Sequence, residues 1–99
     1  MAVGMLLDAP EGSQDMYEAL TEKAFGALQP STTPEGLILH TAGPVLDGGW
    51  RVFDVWESED AFWRFFDTQL LPAARELGLP PQAARPQFCP IHNLIERRS

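Results

Sequence analysis

Three side chains that can exchange protons lie in largely apolar segments of the chain: His40, Asp54 and His92. The pKa of imidazole lies near the working pH of most enzymes, so histidine is a common general acid or base. An ionised carboxylate is costly to bury without a partner, so Asp54 must either form a pair or line a wet pocket. We therefore take His40 and Asp54 as the candidate catalytic residues. The alternative is that the histidines are structural residues that only form hydrogen bonds.

The pairing of His40 with Asp54 depends on the length of a hairpin loop. Their two strands are joined through Asp47-Gly48-Gly49, which is a typical hairpin signal. A tip of two residues places His40 and Asp54 on opposite faces of the sheet, and a tip of three places them on the same face. Both alternatives stay open at this point. Arg51 is an odd number of residues from Asp54, points to the other face and is a poor partner.

Several aromatic side chains are suited to wall a pocket for a flat substrate by offset stacking. Trp50 and Trp56 share a face with Asp54, because side chains alternate along a strand. The predicted second helix carries four aromatic residues within five positions, more than one narrow stripe needs. The alternative is that the tryptophans belong to the core. The candidate substrate-binding residues are Trp50, Trp56, Trp63, Phe66 and His92.

Other kinds of site find little support in the sequence. His40, His92 and Asp54 include no closely spaced ligand pair, so we predict no metal site. Cys89 has no sequence neighbour that would lower the pKa of its thiol, and we interpret it as a small core filler. There is no glycine-rich phosphate loop. We therefore predict that the protein uses no cofactor.

The charge and length of the chain limit its partners. Seven basic and fourteen acidic residues give a formal net charge of −7, which disfavours binding to nucleic acid or to anionic membranes. We find no signal-peptide pattern and no apolar stretch of about 18 residues, so we predict no membrane span. A single cysteine fits a reducing compartment, and we expect a cytoplasmic protein. The length predicts one domain, residues 1–99.

The apolar pattern predicts an α+β fold in the order strand, helix, strand, strand, helix, strand. Ser13 and Ser58 are expected to cap the two helices. In the first helix, Tyr17 falls on the apolar side and Thr21 on the polar side. The predicted bounds of the six elements are 2–7, 13–28, 37–42, 50–56, 58–77 and 88–96.

Two prolines and the second face of the sheet determine the predicted architecture. Pro72 is expected to kink or restart the second helix, and Pro90 restricts the last strand to a sheet edge. We predict a ferredoxin-like β-α-β-β-α-β split sheet in the order 4-1-3-2, with both helices on one face. The strand at 50–56 is apolar on both faces. Two helices cannot cover both, so we expect another copy of the chain to cover the second face and form a homodimer.

Several stretches of the sequence resemble small bacterial proteins of the dimeric α+β barrel superfamily, which includes the antibiotic-biosynthesis-monooxygenase-like proteins. They are the segment 36–44, the segment 49–58 with its Asp54-x-Trp56 pattern, and then Phe62 and Phe66. The resemblance covers nearly the whole chain. It implies two sheets that face each other across a two-fold axis, and in each subunit a pocket between sheet and helices. The activities it implies are those of cofactor-free quinone-forming monooxygenases, polyketide cyclases, lactone isomerases and haem-degrading enzymes.

We therefore expect a cofactor-independent enzyme of monooxygenase, cyclase or isomerase type that acts on a small aromatic or polyketide-like substrate. Such reactions need a base that forms a substrate anion, donors for the oxyanion and a dry cavity. The alternative is a non-catalytic protein of the same fold that binds a small molecule or a partner. An open cavity in front of His40 and Asp54 favours the enzyme, and a closed pair favours the alternative.

Overall fold

The computed structural model describes residues 1–79 and 85–97 and confirms the predicted order of elements. The sheet has four strands in the order β2-β3-β1-β4, and each neighbouring pair is antiparallel. Read from the other edge, this is the predicted order 4-1-3-2. The elements are β1 (Val3–Ala9), α1 (Gln14–Phe25), β2 (Leu37–Pro44), β3 (Trp50–Trp56), α2 (Glu59–Phe65), a π-helical turn (Phe66–Leu70), α3 (Leu71–Glu76) and β4 (Gln87–Pro90).

The helix α1 begins where the sequence predicts and ends one turn earlier. Ser13 is its N-cap, because the Ser13 hydroxyl accepts a hydrogen bond from the Met16 N–H at 3.2 Å. Gly26 ends the helix in the left-handed conformation, with φ at 87°, and its N–H donates to the Glu22 carbonyl. The predicted extension to residue 28 overlooked this glycine, which has no Cβ and takes that conformation at little cost.

The predicted second helix is present but is divided into α2, the π-helical turn and α3. The Ser58 hydroxyl caps α2 by accepting from the Ala61 N–H at 3.1 Å, as predicted. Pro72 lies in the first turn of α3. A proline has no N–H to donate to the preceding turn, and the wider π-helical turn directly before α3 accommodates that loss. The predicted restart at Pro72 is confirmed.

The core lies between the sheet and the helices and is built mainly from aromatic side chains. Trp56 of β3 is 1% exposed, and its ring packs against Phe62 and Phe65 of α2 at centroid distances of 5.7 and 5.5 Å. Met5 of β1 is buried in the same cluster. Of the two roles considered for Trp56, the structure therefore shows the core role.

The last strand is an edge strand, as Pro90 predicts, but it covers only Gln87–Pro90 instead of 88–96. Its partner β1 begins at Val3, which pairs with Pro90, and the Ile91 N–H donates to the Ala2 carbonyl at 2.9 Å. The pairing between β1 and β4 ends at this point. The prediction that His92 lies in a strand is therefore wrong, and His92 is exposed.

The face of the sheet opposite the helices is only partly covered. Val55 is buried on this face, whereas Leu39 and Phe53 are 42% and 39% exposed. Ile91 of the C-terminal segment covers Gly4 on this face, since a Cβ placed on Gly4 would lie 3.2 Å from Cδ1 of Ile91. In the parts of the chain that the structure describes, no helix is long and apolar enough to cross a membrane.

An exposed ion pair lies near the hairpin end of the same face. Arg51 donates to both carboxylate oxygens of Asp8, at 2.6 and 3.1 Å. The hydrogen bond from Arg51 lowers the pKa of Asp8 below its usual value, and Asp8 raises the pKa of Arg51. Because the folded-state pKa of Asp8 is lowered, the contribution of this pair to stability is present above the unfolded pKa and is lost as the pH falls through the lowered value.

Replacing Trp56 by alanine is expected to lower the free energy of unfolding by on the order of 3–5 kcal/mol, because it leaves a cavity in the centre of the core. Chemical denaturation monitored by circular dichroism measures the change. Trp63→Ala is the control, because Trp63 is only half-buried and its loss should cost less. Equal denaturation midpoints for the wild type and Trp56→Ala would contradict the core role.

Candidate active site

The hairpin between β2 and β3 brings His40 and Asp54 to the same face of the sheet. Val45 N–H donates to the Gly49 carbonyl at 3.1 Å, which leaves three residues at the tip, 46–48. Gly48 has a φ of 106°, in the left-handed region that the turn requires. The resulting register pairs His40 directly with Asp54. The three-residue alternative is thus the one found, and it directs both side chains toward the helices.

A continuous line of hydrogen bonds joins four side chains from α1, β2 and β3. His40 Nδ1 lies 2.7 Å from Asp54 Oδ1, and Trp56 Nε1–H donates to Asp54 Oδ2 at 3.0 Å. On the other side, His40 Nε2 lies 2.5 Å from the hydroxyl of Tyr17. An ionised carboxylate only accepts, so His40 donates through Nδ1–H. The neutral imidazole therefore accepts through Nε2, and Tyr17 is the donor.

Asp54 is buried, and its hydrogen bonds make that burial tolerable. The residue is 4% exposed, and each of its oxygens has a donor, one from His40 and one from Trp56. Hydrogen bonds to an ionised acceptor are stronger than those between neutral groups. The expectation that a carboxylate in this strand must have a partner is confirmed. By accepting a hydrogen bond from His40 Nδ1, Asp54 fixes the orientation of the imidazole from the side away from the cleft.

A cleft of about 570 Å³ lies in front of His40, between α1, the loop that follows it and the edge strand β2. Its volume falls in the usual range for small-molecule pockets. Tyr17 and His40 line the cleft, whereas Asp54 does not. The pair is therefore open to the cleft through the histidine and closed on the carboxylate side. The other lining residues are Glu18, Thr21, Phe25, Leu28, Gln29, Pro30, Thr33, Leu37, Ile38, Leu39 and Ala42.

Aromatic rings fix the position of Tyr17 and His40. The two rings are nearly parallel, with an interplanar angle of 10° and centroids 5.9 Å apart. Trp50 packs on Tyr17 at 5.3 Å, and Phe25 packs on His40 at 5.9 Å. Trp50 thus supports the site from the side, although it is not among the residues that line the cleft. The indole Nε1 of Trp50 is buried and has no hydrogen-bond partner in the described part of the chain.

Three of the predicted substrate-binding residues lie away from this cleft. Trp63 and Phe66 pack against Phe62 at the edge of the core cluster, and Trp63 Nε1–H donates to Glu59 at 3.1 Å. His92 follows β4 and is exposed. None of these three residues is among those that line the cleft with His40, since Trp63 and Phe66 pack around Phe62 and His92 lies beyond β4.

Two residues of α1 that the sequence did not single out belong to the site. The apolar side of the predicted helix included Tyr17, and a phenol hydroxyl that turns inward needs a polar partner, which here is His40. Thr21 was predicted on the polar side but is 6% exposed and lines the cleft. Its position four residues after Tyr17 places it on the same side of the helix.

The described residues contain no group of three or more histidine, cysteine, aspartate or glutamate side chains that could hold a metal ion. Both ring nitrogens of His40 are engaged in hydrogen bonds, to Tyr17 and to Asp54. The arrangement is therefore suited to moving protons between side chains. A histidine held from behind by a buried carboxylate is a base whose protonated form has a ready counter-charge.

No protein-family model and no curated protein sequence matches the chain, but solved structures do. The structure of Rv0793 from Mycobacterium tuberculosis superposes with a TM-score of 0.70 at 13% identity, over 97% of this chain and 100% of that one. SnoaB, a cofactor-independent oxygenase from Streptomyces nogalater, has a TM-score of 0.58 at 22% identity, over 97% of each chain.

A third similar structure contains a ligand. The monooxygenase from the gene ActVA-Orf6 of Streptomyces coelicolor, in complex with nanaomycin D, has a TM-score of 0.56 at 24% identity, over 98% of this chain and 92% of that one. These likenesses establish the fold of the chain, a four-stranded antiparallel sheet with helices on one face, which it shares with these proteins. The resemblance seen in the sequence is thereby confirmed for the fold, and the neighbours include antibiotic biosynthesis monooxygenase-like proteins.

Replacing Asp54 by alanine is expected to lower the free energy of unfolding by about 1–3 kcal/mol for each of the two N–H groups, of His40 and Trp56, that lose their acceptor. Thermal and chemical denaturation at neutral pH measure the loss. Asp8→Ala is the matched control, since it removes an exposed carboxylate paired with Arg51 and should change stability little. Equal losses in the two variants would show that the hydrogen bonds of Asp54 have no special weight.

Proposed function

We propose that the protein is a cofactor-independent enzyme of monooxygenase, cyclase or isomerase type that acts on a small aromatic or polyketide-like substrate in the cleft. The observation that supports this is the histidine on the cleft wall, held by a buried carboxylate. These reactions share one first step, the removal of a proton from an acidic C–H or O–H group. An imidazole whose protonated form faces a carboxylate is suited to that step.

In the proposed reaction, the imidazole of His40 takes up the substrate proton and the carboxylate of Asp54 stabilises the imidazolium that forms. The substrate anion then reacts, and the imidazolium supplies the proton that the product needs. In an oxygenation, its carbon adds to O₂ and the imidazolium returns the proton, which gives a hydroperoxide. Loss of water from the hydroperoxide leaves a carbonyl. In a cyclisation, the carbanion attacks a carbonyl of the same molecule and the imidazolium protonates the new alkoxide.

The activities of two proteins of similar structure support this proposal. SnoaB is a cofactor-independent oxygenase, and the ActVA-Orf6 protein is a monooxygenase that binds nanaomycin D. Their chains match this one over nearly its whole length, so the same sheet and helices surround the corresponding region. The surroundings of His40 fit such chemistry as well, because Phe25 and Leu37 give the cleft apolar walls.

A second candidate function is that of a non-catalytic protein that binds a small molecule in the same cleft. The observation that favours it is the hydroxyl of Tyr17, which occupies the second ring nitrogen of His40. In that case the hydrogen bonds would serve only to fix the shape of the cleft. The two functions differ in whether the charge of Asp54 matters after the ligand has bound.

The test is turnover by the wild type and by Asp54→Asn, which keeps the shape of the side chain and removes its charge. Nanaomycin D and related aromatic polyketides are offered with O₂, and oxygen uptake and product mass are measured. Turnover is expected to fall by about 100-fold or more in Asp54→Asn. Asp8→Asn is the control and should retain wild-type turnover. Ligand binding without turnover by the wild type would favour the second candidate, and unchanged turnover in Asp54→Asn would refute the role of Asp54.

We infer that the open face of the sheet is covered by a second copy of the chain. Leu39 and Phe53 leave about two-fifths of their surfaces exposed there, and Ile95 of the C-terminal segment is 85% exposed. Exposed apolar patches of this kind are typical of interfaces. The sheet has both of its helices on the opposite face, so the described residues supply no second layer for it.

Light scattering at micromolar concentration is expected to give about twice the chain mass of 11.0 kDa. Phe53→Glu should shift the protein toward the monomer, because it places a charge in the middle of the inferred interface. The control is Leu46→Glu, because Leu46 is fully exposed in the hairpin loop and its replacement should leave the dimer intact. A wild type that stays monomeric over this range would exclude the dimer.

The proposed location is the cytoplasm. Cys89 is the single cysteine of the chain, and its thiol is free and exposed, so its interpretation as a core filler is wrong. A reducing compartment keeps such a thiol from forming disulfides between molecules.

A further inference from the structure

The base in this site has no free nitrogen that faces the cleft. His40 Nδ1 is bonded to Asp54, and His40 Nε2 lies 2.5 Å from the hydroxyl of Tyr17. We propose that Tyr17, rather than His40, is the catalytic residue that contacts the substrate, and that Thr21 binds a second oxygen of the same molecule. This inference rests on the proposed function and assigns the two substrate contacts that it leaves open.

The hydroxyl of Tyr17 can both receive and pass on a proton. Its hydrogen is donated to His40 Nε2, so the lone pairs of its oxygen remain free to accept an O–H from a ligand. In the proposed step, the ligand O–H bond breaks and a new O–H bond forms on Tyr17. At the same time the original Tyr17 O–H bond breaks and an N–H bond forms on His40 Nε2. The products are a ligand anion, a neutral tyrosine and an imidazolium that faces the Asp54 carboxylate.

The position of Tyr17 fits this role because its ring is held on two sides. Its ring lies parallel to the His40 ring and packs on Trp50, with centroid distances of 5.9 and 5.3 Å. It belongs to α1 and lines the cleft. A hydroxyl that is fixed in this way loses little conformational entropy when it acts, and proton transfer depends on such fixed geometry.

Thr21 supplies the second contact. It is 6% exposed and lines the cleft. A threonine hydroxyl on the wall of a cleft can donate to an oxygen of a bound ligand. Residues four apart on a helix are neighbours, with Cβ atoms about 6 Å apart. Tyr17 and Thr21 therefore present two hydroxyls to one ligand.

The charge of the protein indicates which form of the ligand enters. The chain has a net charge of −7, and the carboxylate of Glu18 lines the same cleft. Both repel an anion that approaches from solution. The ligand therefore enters neutral and is ionised inside. Its chemical class is an O–H acid, a phenol or an enol, that carries a carbonyl able to accept from Thr21.

The probe for the test is para-hydroxyacetophenone, which has a phenol and a carbonyl on one ring and absorbs at longer wavelength when ionised. We expect the full-length wild type to bind it with a larger ionised share than the free compound has at the same pH. Tyr17→Phe keeps the ring and removes only the hydroxyl. It should still bind the probe, as measured by tryptophan fluorescence, but the ionised share should fall to that in free solution.

Thr21 is tested by a matched pair of variants and a matched pair of ligands. Thr21→Val should weaken binding of para-hydroxyacetophenone by about threefold to tenfold, the value of one hydrogen bond. Binding of para-cresol, which lacks the carbonyl, should not change. Thr68→Val is the control, because Thr68 is exposed and its hydroxyl bonds to the Arg64 carbonyl outside the cleft. Equal weakening for both ligands would overturn the role of Thr21.

Asp54→Asn and His40→Gln separate this inference from the proposed function. If they lose the ionised form and Tyr17→Phe retains it, His40 acts directly and the role of Tyr17 is wrong, while the proposed function stands. If Asp54→Asn and His40→Gln retain the ionised form, the proposed base itself is wrong. A wild type that does not bind the probe, or binds it only in neutral form, overturns the proposed ligand class.

Discussion

The buried carboxylate of Asp54 is the constraint on which the rest of the site depends. A charge at this depth is tolerated only when both oxygens are bonded, and the two donors come from neighbouring strands. The bond to Trp56 joins the carboxylate to the aromatic core. The bond to His40 directs the imidazole at the cleft. The packing that stabilises the fold therefore also sets the orientation of the imidazole.

Much of the architecture could be predicted from the sequence because it follows from local chemistry. Ser13 and Ser58 each precede an apolar helical pattern and cap the helix that follows. Pro90 restricts β4 to an edge of the sheet. Asp54 could be expected to have a partner on energetic grounds alone. The identity of that partner depends on the register of the hairpin. The loop sequence is compatible with more than one turn length, so only the structure shows the register.

The parts that could not be predicted depend on neighbours distant in sequence. Thr21 is buried because β2 and the loop after α1 close over one side of the helix, which the pattern of α1 itself does not show. The end of β4 is set by the start of β1, and an apolar pattern continues past that point to Ile95. Trp63 and Phe66 were predicted at the cleft from their residue type, but the direction of α2 and of the turn after it places both against Phe62 of the core.

The tip of the β2–β3 hairpin lies far along the strands from His40, yet its length decides whether the imidazole and the carboxylate meet. A deletion of one residue at positions 46–48 that the strands absorbed by slipping would leave four strands and two helices in place and turn His40 to the opposite side of the sheet. During evolution, such chains can therefore keep the fold and lose the pairing of His40 with Asp54. When related sequences are compared, a gap in this loop carries more information about shared chemistry than overall identity does.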